Sequence, residues 1–140
     1  MNDGRFNPEI FFGFLCDYGH GRLLNLAYRD SGPDWVEAAL PWHEGLVALT
    51  DRGTLSSSVI TSLLDTCSGA ALFQRLGRLS ESATIDLRVD YLRPAMKGET
   101  VIARCECYKV TKQVAFVHGE ARNETGQAIA RSAGTFILRA

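Results

Sequence analysis

The 140-residue chain has little of what marks a nucleic-acid-binding, membrane or secreted protein. Its 15 Lys and Arg are balanced by 16 Asp and Glu, giving a formal net charge of −1, so there is no electrostatic attraction to nucleic acid or anionic lipid. No apolar run approaches the ~20 residues that span a bilayer. The beginning of the sequence lacks the basic stretch and cleavage site of a signal peptide. We expect a cytoplasmic protein with neither nucleic acid nor membrane as a partner.

Cysteine and histidine are too sparse and scattered for a disulfide scaffold or a metal site. There are four cysteines and three histidines. Cys105 and Cys107 would share one face of a strand, but no second pair or nearby histidine completes a zinc site. We interpret the cysteines as small buried apolar residues in a reducing compartment. No metal and no cofactor is predicted, and the absence of a G-x-S-x-G turn argues against a serine nucleophile.

The length and the pattern predict one domain over residues 1–140, without a repeat or a linker. Asn7, Pro8 and Glu9 have the composition of a helix start, so a short N-terminal helix is predicted at about residues 8–17. Residues 43–53 are predicted as a loop. Extended runs bounded by turn residues predict six strands, which are, in chain order, 23–30, 34–42, 84–91, 101–110, 113–122 and 128–138.

A long helix is predicted from Ser57 to Leu76, ending at Gly77. Apolar side chains occupy most of its circumference, which is typical of a buried helix. The rest forms a narrow stripe of polar and small residues: Thr61, Ser62, Asp65, Ser68 and Gly69. An antiparallel sheet that curves around a central helix satisfies this pattern, so the predicted class is α+β.

Asp65 is the single acid in this apolar helix. Burying a carboxylate is costly because desolvation disfavours its charged form. The pattern alone therefore leaves two alternatives, an acid exposed to solvent on the polar stripe or an acid in a polar pocket with a chemical role.

Three segments resemble a known family. They are residues 53–65, the strand 84–91 with the Leu-Arg-Pro-Ala that follows it, and the Ala-Gly-Thr-Phe near the end of the last strand. Over nearly its whole length the chain resembles the hotdog-fold acyl-CoA thioesterases, specifically the phenylacetate-degradation type. The resemblance implies a hotdog fold, with a curved six-stranded antiparallel sheet around one long helix. It also implies paired subunits and hydrolysis of a CoA thioester by the acid at Asp65.

Thioester hydrolysis requires donors for the developing oxyanion and a base or nucleophile at the carbonyl carbon. The free amides that begin the helix, at Ser57 and Ser58, can supply the donors. Asp65 would activate water or attack the carbonyl directly, and the sequence does not choose between them. By resemblance, Thr84 contributes a hydroxyl that holds the substrate or the water.

The spacing of Ser57 and Asp65 predicts a composite site. Eight residues separate them, which is about 12 Å along a helix axis, whereas groups acting on one carbonyl must each lie about 3 Å from it. A second chain with its helix antiparallel can bring its Asp65 to this Ser57. We therefore expect at least a homodimer, and pairs of dimers in a homotetramer.

The remaining site predictions come from the resemblance. Ser56–Ser58 occupy the place of the family's His-Gly-Gly, and Thr50 that of the Asn six residues earlier. CoA contacts are expected on 91–96 and on the 109–114 turn. The full set of predicted substrate-binding residues is Thr50, Ser56, Ser58, Tyr91, Arg93, Lys109, Thr111 and Lys112, and the alternative for each base is a solvated surface side chain.

Three functions compete for this sequence. The first is a thioesterase that hydrolyses an acyl- or aryl-CoA. The second is a binding module of the same fold that holds acyl-CoA without turnover, which the replaced His-Gly-Gly favours. The third is an acyl-CoA hydratase or dehydratase, which generally needs a His–acid pair that has no place here. Fold alone does not decide among them.

Overall fold

The computed structural model describes residues 4–49 and 51–139. Two short helices and a hairpin begin the chain: α1 (Pro8–Leu15), α2 (Gly19–Leu24), β1 (Ala27–Ser31) and β2 (Trp35–Leu40). Two very short strands, β3 (Val47–Leu49) and β4 (Thr54–Leu55), precede the long helix α3 (Ser57–Leu76). Four long strands follow: β5 (Ser82–Tyr91), β6 (Val101–Val110), β7 (Val114–Arg122) and β8 (Ala128–Leu138).

The main sheet has six antiparallel strands in the order β1-β2-β6-β7-β8-β5. Strand β5 follows α3 in the chain yet lies at the far edge, beside the last strand β8. The sheet curves around α3, which packs mainly against β2, β6 and β7. The predicted architecture, an antiparallel six-stranded sheet around one central helix with a short helix before it, is therefore confirmed.

Helix α3 has the predicted bounds. It ends where Gly77 adopts a left-handed conformation with φ of 70°, which glycine reaches without the steric cost that a Cβ would impose. Leu63, Leu64 and Cys67 are fully buried against the sheet. The helix is thus held by packing along most of its length, as its apolar circumference predicts.

The cysteines are free thiols; Cys67, Cys105 and Cys107 are buried as predicted, whereas Cys16 is only partly buried. A hydrogen bond involving Cys105, together with burial, raises the pKa of the Cys67 thiol well above its usual value. Burial raises the pKa of the Cys107 thiol as well. Because a thiolate is the reactive form, neither of these thiols is suited to act as a nucleophile.

Three local predictions are wrong. Residues 23–24, predicted as strand, belong to α2, and β1 begins only after Asn25, which ends that helix in the left-handed conformation. The predicted loop 43–53 contains a 3-10 turn at Glu44–Leu46 and strand β3, which pairs with β4 just after the loop. Ser68 faces the core instead of the polar stripe, because it lies one turn after the buried Leu64 and therefore on the same helix face.

Strand β5 pairs with β8 on one side, and within residues 4–49 and 51–139 no strand pairs with its other edge. Its register shifts between Thr84 and Asp86, and Ile85 at this bulge is 58% exposed. A ten-residue edge strand of this kind presents unpaired backbone groups and apolar side chains. It is a surface on which another strand can pair.

In the part of the chain that the structure describes, no helix combines the length and hydropathy needed to cross a bilayer.

Candidate active site

The beginning of α3 is held by two backbone hydrogen bonds. Leu55 N donates to Ala95 O at 3.1 Å, and Ser56 N donates to Leu46 O at 2.9 Å. The Ser56 side chain does not cap the helix, because its Oγ is hydrogen-bonded to Ser58 Oγ at 2.7 Å. Within the described residues the amides of Ser57 and Ser58 have no acceptor.

An open cleft of about 310 Å³ lies beside this helix end. Its walls come from the start of α3 and from the segment after β5; the lining residues are Leu55, Ser57, Ile60, Tyr91, Leu92, Arg93, Pro94 and Ala95. The cleft is mostly apolar, with the helix N-terminus as its polar end. Such a cleft can hold an uncharged chain and direct a carbonyl oxygen at free amides.

Tyr91 fixes the wall of the cleft to the helix. Its hydroxyl donates to Ser57 O at 3.0 Å and is also hydrogen-bonded to Thr61 Oγ1. A phenol has one proton, so Thr61 is the donor in the second bond. The hydroxyl of Tyr91 is thus already engaged, and the ring is the part available to a substrate.

Asp65 lies on the open side of α3, partly buried. Thr84 Oγ1 donates to Asp65 Oδ1 at 2.9 Å, which joins the helix to the beginning of β5. The sequence predicted a hydroxyl at Thr84 for the substrate or the water; the structure places it on the acid itself. This hydrogen bond orients the carboxylate and leaves Oδ2 without a protein partner among the described residues, so that oxygen can receive a water molecule.

Asp65 and the free amides do not meet within one chain. Helix α3 is continuous between them, so the separation of about 12 Å along its axis stands. Tyr91 and Thr84, at opposite ends of β5, contact α3 near Ser57 and Asp65 respectively. Each chain therefore contains both groups, spaced apart along the same helix–strand pair.

Arg93 is engaged in a network within the protein. Its guanidinium forms two hydrogen bonds of 3.2 Å with the Glu99 carboxylate and donates to Pro94 O at 2.8 Å. Glu99 also accepts from Met96 N at 2.9 Å and from Asn123 Nδ2 at 3.2 Å. A CoA phosphate, the predicted partner of Arg93, would compete with Glu99 for the guanidinium.

Hydrogen bonding sets the ionisation of Glu99. Burial alone would raise its pKa, but the hydrogen bonds from Met96 N, Arg93 and Asn123, together with the charge of Arg93, outweigh burial and hold the pKa below its usual value. Glu99 therefore remains charged at neutral pH and stays paired with Arg93.

The predicted lysines lie at the other end of the molecule. The turn between β6 and β7 contacts the end of β8, where Leu138 N donates to Gln113 O at 2.7 Å, and Leu138 pairs with Ser82 just after α3 ends. Lys109 and Lys112 are exposed there, whereas the hydroxyl of Thr111 is hydrogen-bonded to the backbone of Val114. Thr50, another predicted contact, lies outside the described residues.

The structure thus brings Ser56–Ser58, Tyr91 and Arg93 together, and Asp65 with Thr84, while the β6–β7 turn lies apart. Sequence reasoning missed Glu99 and Asn123. The only available signal was their residue types in turn regions, since the hydrogen bond from Asn123 to Glu99 joins the β7–β8 turn to the β5–β6 connection.

The comparisons with known proteins agree on the family. A family model described as the thioesterase superfamily matches residues 52–130. The medium/long-chain acyl-CoA thioesterase YigI of Escherichia coli strain K12 is 33% identical over 138 residues, which cover 89% of this chain and 88% of that protein.

Two solved structures are similar in fold. A thioesterase from Haemophilus influenzae has a TM-score of 0.84 at 21% identity and covers 99% of this chain and 95% of its own. The PaaI protein of the Escherichia coli phenylacetic acid degradation operon has a TM-score of 0.79 at 15% identity, with 91% and 89% covered. The predicted hotdog fold is thereby confirmed. The chain belongs to the thioesterase superfamily and is a thioester hydrolase.

Proposed function

We propose that this protein hydrolyses acyl-CoA thioesters in a site composed of two copies of the chain. The observation that supports the proposal is the separation of two complementary half-sites on α3. One is the cleft with its free amides at Ser57 and Ser58, and the other is the Asp65 carboxylate oriented by Thr84. Neither is sufficient for thioester hydrolysis, and an antiparallel second helix supplies the missing half to each.

Two features of the surface favour such a pairing. The unpaired edge of β5 and the exposed Ile85 offer a place for a second copy's strand. Gly69 lies one turn after Asp65, and a Cβ built there would meet no atom within 4 Å. A glycine inside a helix lowers the stability of the helix by about 0.5–1 kcal/mol relative to alanine. Close approach of a partner helix gives a reason for a glycine at this position. Association of two dimers into a tetramer remains a prediction.

In the composite site the thioester carbonyl oxygen points at the amides of Ser57 and Ser58. Asp65 of the second copy activates a water molecule, whose oxygen adds to the carbonyl carbon while the carboxylate takes the proton. Collapse of the tetrahedral intermediate breaks the C–S bond, and CoA leaves with a proton. Direct attack by Asp65, giving an anhydride that water hydrolyses, is the alternative route.

In the proposed dimer the CoA tail extends along the second copy's α3. When the second copy's Asp65 is level with this chain's Ser57, its α3 continues for 11 more residues, about 17 Å beyond the thioester. The β6–β7 turn lies at that end of the helix. We therefore propose that Lys109 and Lys112 of the second copy pair with the phosphates of an extended CoA, since lysine pairs with phosphate as a point charge.

Replacing both lysines by alanine tests this placement. We expect the Lys109→Ala, Lys112→Ala variant to raise KM about 10-fold for a CoA thioester, since each lost surface charge contact contributes of the order of 1 kcal/mol at most. KM for the N-acetylcysteamine thioester of the same acyl group, which lacks the nucleotide, should not change. Steady-state kinetics on both substrates is the measurement, and an equal rise for both would contradict the role in CoA binding.

A thioester panel tests the function itself. The YigI relative is named for medium and long acyl chains, whereas the resemblance to the phenylacetate-degradation type points to aryl groups. The panel consists of acetyl-, octanoyl-, palmitoyl- and phenylacetyl-CoA. We expect turnover of CoA thioesters from this panel, measured by the release of free thiol. The preferred acyl group identifies the subtype. Tight acyl-CoA binding without turnover would instead support the non-catalytic binding module. The replacement of the family's His-Gly-Gly by Ser56–Ser58 favours that alternative.

A further inference from the structure

We propose that Arg93, Glu99 and Asn123 are positioning residues that fix the cleft wall against the start of α3, so that Arg93 acts through Glu99 and not on the CoA phosphates. The wall loop is defined as residues 92–99, between β5 and β6. The inference rests on the proposed function for its kinetic readout.

Glu99 is the centre of the network. Its two oxygens accept from both terminal nitrogens of Arg93, from Met96 N and from Asn123 Nδ2. Three of these four donor nitrogens belong to the wall loop itself, so the carboxylate links two parts of the loop to each other. Bidentate pairing of a guanidinium with a carboxylate fixes orientation as well as distance.

Asn123 ties this loop to the turn between β7 and β8. While its amide nitrogen donates to Glu99, its Oδ1 accepts from Thr125 N at 3.1 Å and from Gln127 N at 2.8 Å. The backbone adds a second tie, since Leu92 N and Arg93 N both donate to Ile129 O. The wall loop is therefore anchored both to β8 and to the turn that precedes it.

On the cleft side the loop reaches the helix. Ala95 is 2% exposed and its carbonyl accepts from Leu55 N, two residues before Ser57. Arg93 also donates to Pro94 O, next to Ala95. A shift of the Arg93–Glu99 pair would therefore displace the residues that precede the free amides. Small displacements of catalytic groups lower the reaction rate strongly.

Charge supports the same assignment. Arg93 and Glu99 are each about one quarter exposed, at 24% and 25%, and the pair is neutral. A phosphate would have to separate the guanidinium from a carboxylate that also holds Met96 and Asn123. The exposed lysines of the β6–β7 turn carry no such competing partner among the described residues.

The test uses single alanine variants of Arg93 and Glu99, the double variant, and Arg93→Lys. If the pair positions the wall, each single variant lowers kcat about 10- to 100-fold, by the same factor on a CoA thioester and on the matching N-acetylcysteamine thioester. The double variant is no worse than the singles, because both remove one shared interaction. Arg93→Lys recovers only part of the rate, since lysine cannot make the bidentate pair.

The Arg131–Glu120 ion pair provides the matched control. Its separation of 3.3 Å is similar, but it lies on β8 and β7 with both side chains more exposed, and its alanine variants should keep the wild-type kcat. If Arg93→Ala raises KM for the CoA thioester alone, while Glu99→Ala leaves it unchanged or lower, Arg93 binds CoA and the inference is overturned.

A structural readout separates this inference from the proposed function. Amide hydrogen exchange should become faster at Met96 and Leu55 in Glu99→Ala, and stay unchanged in the Glu120→Ala control. Faster exchange is expected even if no thioester in the panel is turned over. A panel without turnover would contradict the proposed function but not this inference. Unchanged exchange at both amides would overturn the inference, whatever the kinetics show.

Discussion

Replacing Asp65 by asparagine is expected to lower kcat on an acyl-CoA thioester by at least ~10²-fold, the low end for loss of a general acid–base group. Asparagine keeps the size of the side chain, and its amide oxygen can still accept the hydrogen bond from Thr84 Oγ1. The variant therefore removes the negative charge and the proton acceptor with little disturbance of packing. Steady-state thiol release measures the effect, and CoA binding, measured by calorimetry, should persist.

Asp17→Asn is the matched control for this prediction. Asp17 is an exposed acid after α1, so the same chemical change there should leave kcat unchanged. A full rate in Asp65→Asn would remove the acid from the proposed chemistry. A loss of CoA binding equal to the loss of turnover would make Asp65 a binding residue instead.

The second large effect is expected when two inactive variants are combined in one dimer. Ser57→Pro removes one amide donor at the first helical position, where proline is tolerated. The preceding Ser56 already has an extended backbone, with φ of −60° and ψ of 136°, which is what a following proline requires. Loss of one oxyanion donor should lower kcat about 10²- to 10³-fold in the Ser57→Pro homodimer.

A mixed dimer of Asp65→Asn and Ser57→Pro chains has one site with both intact groups and one with neither. Purified through two different affinity tags, it should regain about half of the wild-type activity per dimer, since one of two isologous sites is complete. A site within one chain would leave both halves of the mixed dimer defective. Activity no higher than that of the parents, in a species shown to be dimeric by sedimentation, would therefore contradict the composite site.

The sequence predicts some helices and strands better than others. The bounds of α3 were predicted from its apolar circumference and from Gly77, because both are local properties. The four long strands were predicted for the same reason. The α2 helix was missed because its short segment between glycines has no periodicity long enough to separate helix from strand. The β3–β4 pair consists of five residues in all, too few for a strand pattern.

Within the candidate site, the prediction of Asp65, Ser57 and Thr84 came from residue types and from a resemblance. Neither the residue types nor the resemblance gave the contacts of each side chain. Thr84 reaches Asp65 across 19 residues, and Asn123 reaches Glu99 across 24. Such contacts depend on where β5 and the two sheet turns are placed by the whole fold.

The sequence by itself determined the secondary structure of α3 and the long strands, and the eight-residue spacing that keeps acid and amides apart on one helix. Both follow from backbone geometry and from the period of apolar side chains, which act over neighbouring residues. Only the tertiary structure decided that Asn123 donates to Glu99 and that Asp65 accepts from the hydroxyl of Thr84. Those pairings form because strands distant in the chain become neighbours when the sheet closes around the helix, and no local pattern records that neighbourhood.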